Sequence, residues 1–326
     1  MIHAKRRQFL IAAGALLAAP LAVEAQSRLK VYRVGILSAF LPRELFVAIP
    51  AALRDLGYEE GRNIEFDYRF AEGRDDRLPG MVADLVAKRV DLIVTWLNAE
   101  TMAAMRATTT IPIVMALTLA PVESGLVASL AHPGGNVTGT TIQGPETAGK
   151  MLQVLRDAVP NTTRVIYLWE PGFPGLEPYR LATERAGAAM GIRLTGLPVR
   201  TLAELESALA VVGRKRPDAL YVVPTGAIFT HRARVIEFAA RQRLPAIYTS
   251  PPAPAEGGLM SYSANLQALS RQTAAIVDRI LKGAKPAEVP VEQPAHFALV
   301  INMKTAKALN LKIPQSLLLR ADRLIE

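Results

Sequence analysis

Leu126–Thr141, LVASLAHPGGNVTGTT, is the stretch whose reading decides the fold. Leu126 to Leu130 has the look of a helical run, Pro133, Gly134 and Gly135 break it, and Asn136 to Thr141 follows as a short β-branched strand. On both sides the chain repeats apolar strand, turn and amphipathic helix, so two similar lobes joined at this crossing are expected. A cleft between such lobes is the natural place for a ligand. Gly134 and Gly135 are expected to permit the turn, with positive φ, where a Cβ would be strained.

Working back from the crossing, Val31–Ser38 is a continuous apolar strand of the kind buried on both faces of a parallel sheet. Pro42–Leu56 reads as a helix, with Leu45, Ile49, Leu53 and Leu56 on one face and Gly57 as its stop. Strand Asn63–Phe70, helix Asp75–Arg89, strand Asp91–Trp96, a helix from about Ala99 to Ala107 and strand Pro112–Leu117 complete the first lobe. Working forward, the pattern restarts with helix Glu146–Ala158 and strand Arg164–Trp169, and ends with helix His231–Arg243 and strand Ala246–Thr249. Gly257–Tyr262 reads as a second crossing, helix Asn265–Lys282 as packing back on the first lobe, and Phe297–Asn302 as a third crossing. The expected fold class is α/β, with two doubly wound parallel-sheet lobes and the ligand cleft between them.

The first 25 residues stand apart from this pattern. Lys5, Arg6 and Arg7 precede an apolar run from Phe9 to Val23, and Val23-Glu24-Ala25 offers small residues for cleavage, which is the form of a secretory signal peptide. The run is shorter than the roughly 20 residues of a spanning helix, and Pro20 interrupts it. Arg6-Arg7-Gln8-Phe9-Leu10 resembles the twin-arginine export motif, with Lys5 where that motif prefers Ser or Thr, so the route stays open between two export systems. The mature chain is expected in the periplasm. The formal charge is +9, and removing Lys5, Arg6, Arg7 and Glu24, a net +2, leaves +7 spread through the helices without a basic patch or a reading motif. No nucleic-acid role is expected.

With no cysteine in the chain, disulfides, thiol catalysis and a lipoprotein anchor are excluded. His132, His231 and His296 lack metal-like spacing, there is no nucleophile elbow or phosphate loop, and Gly134, Gly135 and Gly139 do not follow dinucleotide spacing. Neither an enzyme nor a metal or cofactor is therefore expected.

Several blocks taken together resemble one family. They include Leu56-Gly57-Tyr58 with Glu60-Gly61-Arg62-Asn63-Ile64, Ala71-Glu72-Gly73-Arg74, Thr110–Val114, Gly125–Leu130 and Pro133–Gly139. Gly257–Tyr262, Ile280–Pro286 and Leu299–Lys307 continue the series. From about Val31 to the C-terminus the chain is similar to the substrate-binding proteins of ABC transporters in the tryptophan/tyrosine-type group. That resemblance implies a type I periplasmic-binding-protein-like fold with three crossover segments, which closes on a small molecule and passes it to an ABC permease. It divides the chain into signal peptide 1–25, a first lobe of 26–141 plus about 262–296, and a second lobe of about 142–261 plus 297–326. A monomer is expected. An exported sensor, presenting its closed form to a membrane receptor, is the alternative that uses the same closure.

Loops after the strands supply the candidate ligand contacts: Ser38, Phe40, Trp96, Asn98, Glu100, Thr118 and Gln143 from the first lobe, and Trp169, Glu170, Thr225 and Tyr248 from the second. Trp96 and Trp169, the two tryptophans, either fill cores or clamp a flat ligand across the cleft. Members of the family commonly carry Gly-Thr-Pro after the third strand and Asp-Pro after the fourth; here those places hold Trp96-Leu97-Asn98 or Leu97-Asn98-Ala99, and Ala120-Pro121. Unless Glu100 or Glu170 replaces the missing acid, a zwitterionic amino acid is disfavoured, and a carboxylate, an aromatic acid or a neutral polar compound is expected.

Overall fold

The computed structural model describes residues 30–39, 47–143, 145–223 and 225–326. The expected signal peptide and the first turns of the helix expected from Pro42 lie outside the described residues, as does Phe40. Within them the chain builds two sheets.

In the first lobe, β1 (Tyr32–Ser38), α1 (Ala48–Asp55), β2 (Ile64–Phe70), α2 (Leu78–Ala87), β3 (Leu92–Thr95), α3 (Asn98–Ala107), β4 (Ile113–Leu119) and β5 (Val137–Gln143) follow one another. Its five strands run parallel in the order β2-β1-β3-β4-β5. All seven residues of β4 are buried, as expected of a central strand covered on both faces. No helix precedes Pro133: backbone bonds from Ser124 N–H to the Ala120 carbonyl and from Leu126 N–H to the Pro121 carbonyl close tight turns instead. Pro121 and Gly125, the latter at φ +70°, stop any helix from propagating there. Of the two glycines before β5, Gly134 has the expected positive φ, at +82°, and Gly135 does not.

The second lobe begins with α4 (Pro145–Ala158), β6 (Arg164–Trp169), α5 (Leu176–Ala189), β7 (Arg193–Pro198), α6 (Leu202–Lys215) and β8 (Ala219–Val222). It continues through α7 (Gly226–Thr230), α8 (Arg232–Arg241), β9 (Ala246–Tyr248) and β10 (Met260–Ala264). After α9 (Leu266–Leu281) come β11 (Phe297–Asn302), α10 (Met303–Ala308), α11 (Gln315–Leu318) and β12 (Arg323–Ile325). The second sheet has the order β12-β11-β10-β9-β8-β6-β7, parallel except where β11 runs against β10.

Of the stretches read from sequence as crossings, Gly257–Tyr262 runs into the strand Met260–Ala264 and Phe297–Asn302 is itself a strand, and the two strands pair in this sheet. Between them the chain visits the first lobe. Asn265 caps α9 by accepting from Ala268 N–H at 3.0 Å, and Leu269, Ile276, Val277 and Ile280 then pack with Ile49 and Leu53 of α1. A following strap lies along β5: the Thr138 hydroxyl donates to the Val289 carbonyl at 2.6 Å, Glu292 N–H to the Gly139 carbonyl at 2.9 Å, and Thr141 N–H to the Glu292 carbonyl at 3.0 Å. Entering and leaving by way of the second sheet is what forces β11 to return antiparallel to β10.

Candidate functional site

In both sheets the strand order reverses at one point, between β1 and β3 in the first and between β6 and β8 in the second. Strand ends diverge at such a point and leave a crevice at their carboxyl edge. A cavity of about 140 Å³ lies between the two edges. Leu97, Leu117, Leu119 and Ile142 line it from the first lobe, and Phe173, Val223, Phe229 and Pro251 from the second. Leu266, at the start of α9, also reaches it. The polar contribution is small, consisting of Thr225, Thr249 and Ser250 with the backbone of Gly226.

Most of the polar residues expected here serve to hold the strand ends in place. Asn98 is fully buried: its Oδ1 accepts from Leu119 N–H at 2.8 Å, while its Nδ2 donates to the Leu119 carbonyl at 2.7 Å and to Ser124 Oγ at 3.0 Å. Those bonds tie α3 to the end of β4 and leave the side-chain amide committed. Thr118 is equally buried and donates to the Thr140 carbonyl at 3.2 Å, joining β4 to β5. Ser38 is 1% exposed, beneath the Ala71 N–H that its carbonyl accepts at 2.8 Å. Gln143 ends β5.

Glu100 sits at the first reversal point. Its carboxyl accepts from Ala39 N–H at 2.7 Å and from Leu97 N–H at 3.2 Å, bridging the loops after β1 and β3. Burial is the chief cause that lifts its pKa to about 7, opposed by those backbone donors and assisted by the Asp75 carboxylate.

Neither tryptophan lines the cavity. Trp96 is 3% exposed in the core formed with Val34, Ile36 and Val94, and Trp169 packs against the core that holds Tyr167 and Tyr179, with the Arg180 guanidinium 5.1 Å from its ring centroid. Tyr248 is buried in the core with Ile236 and Ala253, and burial pushes its phenol above the usual range. Its hydroxyl has no hydrogen-bond partner.

Thr225 lies at the polar edge of the cavity, and Glu170 packs behind it against Gly226. The Glu170 carboxyl packs against Gly226 so closely that a Cβ there would lie 2.2 Å from Oε2. Burial raises the Glu170 pKa, with the Thr225 hydroxyl and Arg200 opposing and Asp75 adding to the rise. Thr225 is thus close enough to influence the carboxyl, yet neither its Oγ1 nor Glu170 Oε2 makes a hydrogen bond of good geometry. Ala120, where an acid is missing from the family pattern, is buried at φ +42°.

One contact across the cleft had no sequence signal. Gly175, at φ +82° ahead of α5, meets the first lobe so tightly that a Cβ would lie 2.3 Å from the Leu119 carbonyl oxygen and 2.6 Å from Asn98 Nδ2. Leu117 and Leu119 supply the apolar lining on either side of Thr118, where the β4–β5 register shifts, an irregularity that has no signal in the sequence. Among the described residues, no group of three or more His, Asp or Glu side chains is placed to hold a metal ion.

Two wound α/β lobes facing each other across a mostly apolar cavity define the class of periplasmic-binding-protein-like folds. Residues 44–325 match the family of ABC transporter substrate binding proteins, and the chain belongs to that family. It is 26% identical over 262 residues to the tyrosine-binding protein of Clostridioides difficile (strain R20291), covering 80% of this chain and 75% of that protein. It resembles a crystal structure of an ABC domain in complex with L-Trp from Streptococcus pneumonia, with a TM-score of 0.85 and 26% identity over 91% of this chain and 100% of that one. A conserved domain protein from Vibrio cholerae gives a TM-score of 0.84 at 26% identity, over 90% of this chain and 100% of that one.

Proposed function

We propose that this protein is an extracytoplasmic solute-binding protein that captures a small molecule between its lobes and delivers it to the permease of an ABC importer, without chemistry of its own. The observation that carries the reading is the cavity, lined from both lobes at the points where both strand orders reverse. Tyrosine and L-Trp in the names of two relatives support a small organic ligand. No helix among the described residues is long and apolar enough to cross a membrane. Export follows from the basic and apolar N-terminus, and the protein works as a monomer whose lobes move about the passages after Gln143, at Asn265 and after Glu292.

Native mass spectrometry of freshly purified protein, before and after unfolding and refolding, tests the reading. A small molecule bound one to one, lost on unfolding, is the expected result. Finding a substrate-to-product conversion of that molecule would remove the non-enzymatic part. A gene for a receptor kinase beside this one, in place of permease and ATPase genes, would replace transport by sensing.

A further inference from the structure

We infer that the second lobe carries a binding site for a phosphate group at the amino edge of its sheet, opposite the solute cavity, formed by Arg193, Lys215 and Thr195 beside Arg164. A hollow of about 200 Å³ lies there, at the start of β6 and β7 and the end of α6. Its charged lining consists of Arg164, Arg193 and Lys215, with no acid among the described residues. The sequence shows no basic run at this place, because these three residues are far apart in the chain and meet only at the sheet edge.

The first lobe repeats the hollow and shows what the second lacks. Arg33, Glu65, Asp67 and Lys88 line about 310 Å³ at the start of β1 and β2 and the end of α2. The parts correspond. Lys88 and Lys215 each stand three residues before an aspartate, Asp91 or Asp218, whose carboxylate accepts from a backbone N–H at the start of β1 or β6, Arg33 or Arg164, at 2.8 Å in both lobes. Glu65 lies opposite Arg33 and Asp67 opposite Gly35, whereas Arg193 lies opposite Arg164 and Thr195 opposite Ile166. Arg193 thus holds the place of Glu65, and Thr195 that of Asp67. In the first lobe those acids balance the cations: Glu65 is 3.5 Å from Arg33, and Asp67 is 2.6 Å from Lys88 and also pairs with Arg69. In the second, Asp218 is taken up by the Arg164 guanidinium at 2.9 Å and by the N–H groups of Thr163 and Arg164. Arg193 and Lys215 are left without an acid partner among the described residues. The helix dipole favours Lys215 in the last turn of α6, but gives no reason for Arg193 on a strand. Two cations and a hydroxyl around the place that a carboxylate fills in the first lobe suit a phosphate group, which takes charge-assisted hydrogen bonds from all three.

Calorimetric titration of the purified protein with inorganic phosphate, at fixed ionic strength in a buffer free of phosphate, tests the inference. One phosphate is expected to bind per chain. Arg193→Glu combined with Thr195→Asp restores the acids of the first lobe, and should weaken phosphate at least about ten-fold while melting no lower than the wild type without phosphate. Gln242→Asp combined with Arg243→Glu makes the same change of charge on exposed residues outside the hollow, and should weaken phosphate by less than about two-fold. Absence of binding, affinity unchanged in the first variant, or an equal loss in both variants overturns the site. A lower phosphate-free melting temperature in the first variant overturns the correspondence with the first lobe. Titration with dihexanoylphosphatidylglycerol, kept below its micelle concentration, separates the sources of such a group: tighter binding than inorganic phosphate assigns the site to a lipid headgroup, and weaker binding assigns it to free phosphate.

Discussion

Glu100 shows how one residue couples the site to solution conditions. Its folded pKa, about 7, stands above the ordinary value of 4.5, so the folded state prefers the protonated form. The stability it contributes is therefore fully present below 4.5 and is lost as pH rises through 7. Thermal melting of the wild type is expected to decline across that window, and Glu100→Gln to flatten the decline even though it disturbs one backbone contact. A mutant slope as steep as the wild type would assign the decline to other groups, of which Asp75 and Glu170 are also raised by burial. Glycines separate as sharply. At Gly139, with φ +138°, a Cβ would stand only 2.0 Å from the Met115 carbonyl oxygen, so Gly139→Ala is expected to prevent folding or cost several kcal/mol. Gly134→Ala, strained at φ +82° but not crowded, should cost about 1 kcal/mol, and Gly135→Ala, without positive φ, almost nothing. Chemical denaturation of the three variants checks the order.

At the scale of elements, the loop joining β6 to α5 carries its own control. Gly172 and Gly175 both have φ +82°, but a Cβ on Gly172 meets open space while one on Gly175 meets the opposite lobe. Gly172→Ala should lose about 1 kcal/mol from backbone strain, and Gly175→Ala that much or more, according to how far the lobes part to relieve its collision. Only Gly175→Ala is expected to weaken binding of the co-purified solute, because it wedges the lobes at Leu119 and Asn98. Equal affinities in the two variants would mean that this contact plays no part in closure. Helix α9 is the other element with a role beyond its own lobe. Its cap Asn265 stands where the chain leaves the second sheet, and its Thr273 hydroxyl lies 3.0 Å from that of Thr140 on β5. Asn265→Ala should therefore cost about 1 kcal/mol, as an ordinary cap does, and be visible in the melting temperature.

For the whole molecule, the separate apolar cores matter most. The first sheet packs its faces with Val34, Ile36 and Leu85 among others, the second with Ile166, Tyr167 and Leu220, and among the described residues the two sets meet only through Leu119 and Ile142 beside the cavity. Motion is then least costly as a rotation of intact lobes about the few connecting passages. Small-angle scattering with and without the bound solute is expected to show a smaller radius of gyration for the liganded protein. An unchanged radius at saturation would exclude the hinge.

The wound α/β pattern was legible in the sequence because strand and helix periodicity are local: Val165–Leu168 and Leu92–Thr95 are continuous apolar or β-branched runs, and all of them are buried. The basic and apolar N-terminus and the lack of cysteine are equally local features. The site was less legible. Polar residues at strand ends, such as Asn98, Glu100 and Thr118, looked like ligand contacts, but backbone groups there need partners once the loops are buried, and these side chains supply them. The cavity fell to their apolar neighbours. Which side chain faces a ligand and which one closes a loop depends on what the second lobe covers. That is set by contacts between residues far apart in the chain, such as Gly175 with Leu119, and only the tertiary structure decides them.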